Sequence, residues 1–128
     1  MNQKIAAIGA FLGMFAIILG AFGAHALKKI LSVDELVTFE TGVKYQMYHA
    51  LFLLYLGFNN SISENLKSKI YYLVLFGILL FSGSIYLLAT KSISNIDFSI
   101  IGIATPIGGF LLIVAWFLIF MNFIRKKS

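Results

Sequence analysis

The chain has 128 residues, 60% of them apolar and 12% charged, with a net charge of +5 and a mean hydropathy of +0.95. Soluble domains carry about twice that charge, so lipid must cover this apolar surface, and the length leaves room for one membrane domain. Cysteine is absent, which excludes disulfides, thiolate metal sites and a cysteine nucleophile. Four of the basic residues sit at or beside apolar segment ends, where they anchor and orient helices, and the net charge does not suggest nucleic acid.

Ile5 to Ala24 is an uncharged run long enough to span about 30 Å of hydrocarbon. Lys4 before it and Ala24-His25-Ala26 after it imitate a signal peptide. The run exceeds the usual apolar core of about 7–15 residues, so a retained first helix over 5–27 is expected. Gly9, Gly13, Ala16, Gly20 and Ala24 recur at three- and four-residue steps, a stripe that lets lipid-embedded helices approach closely. Ser32 followed by Glu35 reads as a capping box and predicts a second helix over 33–58. This is the only apolar segment that carries ionisable groups into the membrane, through Thr41-Gly42-Val43-Lys44-Tyr45-Gln46-Met47-Tyr48-His49. Glu40 and Lys44 are four apart in the order that favours an ion pair. The opposite face carries Gly42, Gln46 and His49.

After the polar turn from Asn59 to Lys69, a third helix is expected over 70–90, with Gly77, Ser82, Gly83 and Ser84 on it. A short loop from Lys91 to Asp97 leads to a fourth helix over 99–124, ending at Arg125-Lys126-Lys127. Pro106 lacks an N–H and crowds the Gly102 carbonyl, so a kink is expected there, beside Gly108 and Gly109. Trp116 has an adequate role in packing or at the interface. Together these segments predict an all-α integral membrane four-helix bundle. Lys4, Lys67, Lys69, Arg125, Lys126 and Lys127 lie on one side, against Lys28, Lys29, Lys44 and Lys91 on the other. That excess favours both termini on the cytoplasmic side of a plasma membrane.

Depth counting brings several polar groups level. His49 falls about 15 Å below the outer boundary, with Gln46 a turn higher and Thr105 roughly 9 Å deep. Ser82 and Ser84 lie in the same outer half, so Gln46, His49, Ser82, Ser84 and Thr105 form a candidate polar layer. His25 sits higher, level with Glu40, Thr41 and Lys44, and a hydrogen bond to the second helix is its simplest role. The height difference and the missing acidic cluster argue against a metal site. His49 reads first as a neutral imidazole bonded across helices, and second as a proton-responsive or substrate-binding group. Gly9, Gly13, Gly20, Gly42, Gly83, Gly108 and Gly109 are the expected packing positions.

Four blocks carry a resemblance. They are Gly20-Ala21-Phe22-Gly23-Ala24-His25, the stretch from Thr41 to His49, Phe81-Ser82-Gly83-Ser84-Ile85-Tyr86, and Thr105-Pro106-Ile107-Gly108-Gly109 with Trp116. Their order resembles domain of unknown function family 423, small bacterial four-helix membrane proteins with a eukaryotic relative called transmembrane protein 256. The resemblance implies a four-span plasma-membrane protein and supplies no catalytic residue or cofactor. The expectation is therefore a non-enzymatic structural or partner-binding module of the envelope. Its partners would be the bilayer and, at the helix faces, a second copy or another membrane protein. Two alternatives stand beside it: an oligomeric transporter subunit built on the layer around His49, and a lipid- or quinone-binding protein. His49 with Ser82 or Ser84 can also be drawn as base and nucleophile.

Overall fold

A computed structural model describes residues 2–90 and 99–125 of the protein. Each of the first three long helices starts where a side chain accepts the free N–H groups of a first turn. Asn2 Oδ1 accepts from Ile5 N, and helix α1 runs over Gln3–Ile17. Ser32 and Glu35 close the capping box at 3.1 and 3.0 Å, opening α3, Val33–Phe58. Ser63 Oγ accepts from Leu66 N and opens α4, Glu64–Ala89. The third long helix thus begins at Glu64 rather than near residue 70, because a capped polar turn is added below the apolar run. Helix α5 is Ser99–Arg125 and contains Pro106. The expected loop from Lys91 to Asp97 and the terminal Lys126 and Lys127 lie outside the described residues. No strand occurs among the described residues.

The first helix is not uniform. Between α1 and the short α2, Ala24–Leu27, the backbone forms a π-helical segment, Ile18–Gly23. Its wider turn holds both Gly20 and Gly23 against α3, where an added Cβ would lie 3.2 Å from Val43 and 3.3 Å from Phe39. The stripe expected on this helix is therefore a seam against α3.

Neighbours in sequence pack antiparallel: α1 on α3, α3 on α4, and α4 on α5. The closest approaches occur at glycines. A Cβ on Gly9 would meet the Ala50 carbonyl at 2.9 Å, and one on Gly57 would meet Ala6 N at 2.8 Å. Gly42 lies under the Tyr86 ring, Gly77 against Leu112, and Gly108 against the backbone of Leu80 and Phe81. Gly13 and Gly109 have ordinary contact distances. Gly83 is a correction: nothing lies within 4 Å of its Cβ position, so it is no packing seam. It points between the directions taken by Ser82 and Ser84.

The apolar core fills one half of the bundle. Ile5 starts it on α1, Phe52, Leu53 and Leu56 continue it on α3, and Ile70, Val74, Leu112, Ala115 and Ile119 complete it on α4 and α5. The polar residues collect above this core. Residues Gln3–Leu27, Glu64–Ala89 and Ile101–Arg125 are each long and apolar enough to cross a membrane. Helix α3 is equally long, at 26 residues, but carries Asp34, Glu35, Glu40 and Lys44 in its first half.

Candidate functional site

The polar side chains above the core resolve into neighbouring hydrogen-bonded groups. Gln46, 5% exposed, uses both ends of its amide: Nε2 donates to the Leu12 carbonyl at 2.9 Å, and Oε1 accepts from the Tyr86 hydroxyl at 2.6 Å. One residue of α3 thereby ties α1 to α4. Beside it, Ser82 Oγ donates to the Gly42 carbonyl at 2.9 Å, a second α4-to-α3 bond. Ser84 Oγ donates to the Phe81 carbonyl at 2.9 Å and also meets Thr105 Oγ1. Its one hydrogen is committed to the carbonyl, so Thr105 is the donor of that pair and fastens α5 to α4.

His49, 4% exposed, is held on both nitrogens. Nδ1 lies 2.7 Å from the Tyr45 carbonyl, and Trp116 Nε1 lies 3.0 Å from Nε2. A carbonyl only accepts and an indole N–H only donates. The proton therefore sits on Nδ1, the ring is neutral, and Nε2 is the acceptor. The Trp116 ring meets His49 edge to face at 5.9 Å and Phe52 at 4.3 Å.

The layer expected from depth counting is thus divided. Ser84 and Thr105 meet; His49 pairs with neither serine, and its neighbour is Trp116. Trp116 and Tyr86, which counting did not place in the layer, supply two further interhelical donors, to His49 and to Gln46. Gly102 is exposed, with nothing near its Cβ position. At the outer boundary, Thr41 and Thr38 donate to carbonyls of their own helix, Val37 and Asp34. His25, Glu40 and Lys44 are exposed. The expected Glu40–Lys44 ion pair does not form, whereas Lys67 pairs with Glu64 at 3.6 Å. A solvated four-apart pair contributes only a few tenths of a kcal/mol, too little to hold both side chains.

Lys67 is a further residue that sequence reasoning missed. Counted from sequence with the basic residues on the side of the termini, it is 1% exposed, and its Nζ donates to the Gly57 carbonyl at 3.5 Å. Asn2 completes this end, donating from its backbone N–H to Gly57 at 2.7 Å and from Nδ2 to Glu64 at 3.0 Å. The three-residue Glu64-to-Lys67 step directly after the Ser63 cap was the available signal.

Comparison with known proteins agrees with this architecture. A family model described as "Protein of unknown function (DUF423)" matches residues 19–109. The chain belongs to the DUF423 family. A UPF0382 membrane protein of Staphylococcus saprophyticus is 43% identical, covering 88% of this chain and 89% of its own. One from Haemophilus influenzae is 37% identical over 100% of this chain and 99% of its own. The UPF0382 inner membrane protein YgdD of Escherichia coli is 34% identical over 90% and 85%. No solved structure matches. This DUF423 protein is thus an all-helical membrane protein of a family whose role is unknown. The matched stretch takes in Gln46, His49, Ser82, Ser84, Tyr86 and Thr105, and ends before Trp116.

Helices α3 and α5 leave a cleft between them that the Trp116 side chain crosses. On one side is a chamber of about 310 Å³, lined by Tyr45, His49, Phe81, Gly109, Leu112, Ile113 and Trp116. On the other is a space of about 490 Å³ bounded by Tyr48, Leu51, Phe52, Tyr55, Trp116, Ile119 and Phe123. Neither contains a charged side chain. Among the described residues no three His, Asp or Glu side chains gather as metal ligands.

Proposed function

We propose that this DUF423 protein is a four-pass plasma-membrane module, with both termini cytoplasmic, that acts without catalysis as a structural or partner-binding unit of the envelope. The observation that carries this reading is the saturation of the layer. Gln46 uses both ends of its amide, His49 both nitrogens, and Ser82 and Ser84 commit their hydrogens to carbonyls. A general base needs a free lone pair within reach of its nucleophile, and Nε2 is turned to Trp116 instead of either serine. Interhelical hydrogen bonds of this kind set helix register in lipid. The basic-residue bias supports the orientation, and the inner-membrane naming of the Escherichia coli relative supports the location.

The test pairs stability with flux. Wild-type protein and a His49→Gln variant are reconstituted into liposomes under a proton gradient, and thermal unfolding is followed in parallel. The module reading expects no protein-dependent proton flux, and a lowered melting temperature or weakened assembly in the variant. A variant that melts like wild type but loses a flux the wild type sustains overturns it in favour of a transporter subunit.

A further inference from the structure

The chamber beside His49 has a polar floor and no charge. Two of its lining residues, His49 and Trp116, share one hydrogen bond, from the indole N–H to Nε2, which is taken as its polar floor. Its rim is aromatic, with Tyr45 and Phe81 edge to face at 5.0 Å. At Gly109 a methyl group would reach Phe81 only at ordinary contact, so the backbone leaves the wall open there. These features select a ligand by exclusion. A phospholipid headgroup finds no cation. An acyl chain gains nothing from the polar floor, whereas a ring stacks on ring edges. A carbonyl oxygen accepts only, so taking the indole N–H would leave buried Nε2 unpaired. A hydroxyl both donates and accepts, so it can enter this bond and satisfy both partners.

We propose that this chamber binds the ring of an uncharged ring lipid of the quinol class, whose hydroxyl donates to His49 Nε2 and accepts from the Trp116 indole N–H. The tail leaves through the open side of the cleft toward lipid. The volume of about 310 Å³ lies at the lower end of small-molecule sites, as a single ring system requires. The two nitrogens, 3.0 Å apart in the closed bond, must part for the hydroxyl oxygen to stand between them; binding then exchanges one hydrogen bond for two and breaks no covalent bond. The inference goes beyond the module reading, which stands whether or not a ligand enters.

The experiment uses the full chain in lipid nanodiscs under anaerobic conditions, with decylubiquinol as probe. Retention on protein-loaded discs is measured against empty discs, alongside decylubiquinone and decanol. The expected result is a saturable excess of the quinol, with binding at least tenfold weaker for the quinone and for decanol. Gly109→Leu fills the chamber and lowers quinol affinity at least tenfold. Ile113→Trp, from an exposed position that does not endanger folding, does the same. Emission from Trp116, the sole tryptophan, shifts over the same titration. Absence of a saturable excess overturns the proposal, as does unchanged affinity in either folded variant. Equal binding of quinol and quinone overturns the hydroxyl assignment.

Discussion

Gln46 bonds to two helices at once, and its removal has a measurable shape. Gln46→Leu leaves the Tyr86 hydroxyl without its acceptor and the Leu12 carbonyl with only its helical bond. Interhelical hydrogen bonds in lipid contribute about 0.6 kcal/mol on average and rarely more than about 1.7. Gln46→Leu is therefore expected to cost about 1–2 kcal/mol. Tyr86→Phe, which removes one of the two bonds, should cost less. The double variant should fall short of the sum by about 0.5–1.5 kcal/mol, because the two residues share a bond; unfolding in mixed micelles measures all three. Strict additivity would show that the bond contributes nothing. The depth of these groups was readable from residue counts, but their partners were not, because depth says nothing of azimuth. Ser82 and Ser84 are two positions apart, about 200° around a helix, so one turns to α3 and the other to α5. Trp116 lies below the layer by count. Helical side chains lean toward their helix N-terminus, which on α5 points back to His49, and a long indole covers the remaining distance.

At the scale of elements, glycines of similar appearance divide sharply. A Cβ on Gly108 would run into the backbone of Leu80 and Phe81, and backbone cannot step aside as a flexible side chain can. Gly108→Ala is expected to separate α4 from α5 and to cost at least about 2 kcal/mol, within the range for overpacking. Gly83→Ala meets open space, and alanine exceeds glycine in helix propensity by up to about 1 kcal/mol. It should leave the melting temperature unchanged or raise it by a few degrees. Thermal melts of the two variants side by side decide the matter; destabilisation by Gly83→Ala would mean that an unseen surface covers that face. From sequence both looked like members of small-residue patches. Hydropathy located three of the long helices because an uncharged run is a one-dimensional signal, and the Ser32–Glu35 capping box located the start of α3. The start of α4 at Ser63 and the π-helical Ile18–Gly23 escaped, since the first depends on a cap below the apolar run. The second depends on contacts with Val43 and Phe39 from another helix.

For the whole molecule, the decisive question is whether α3 crosses the membrane, because composition alone leaves it the least apolar of the long helices. Packing supplies the argument that hydropathy lacks. Gly57 lies on Ala6, Ala50 on Gly9 and Phe39 on Gly23, so α3 runs antiparallel along the first helix from residue 57 to residue 39, about 27 Å at 1.5 Å per residue. If Gln3–Leu27 spans the bilayer, α3 lies beside it through nearly the whole hydrocarbon thickness. Its charged residues fall at the far end: Asp34 and Glu35 in the first turn, and Glu40 and Lys44 exposed rather than turned into the bundle. Four crossings place both termini on one side, and three would separate them. The chain has no cysteine, so single cysteines report topology without a background to remove. Ser32→Cys and Ser61→Cys flank α3, and both parent residues are exposed. In intact cells a membrane-impermeant maleimide is expected to label Ser32→Cys, and Ser61→Cys only after permeabilisation. Labelling of both from the same side would mean that α3 does not cross. Labelling in the reverse order would keep four crossings and place the termini outside, against the basic-residue bias.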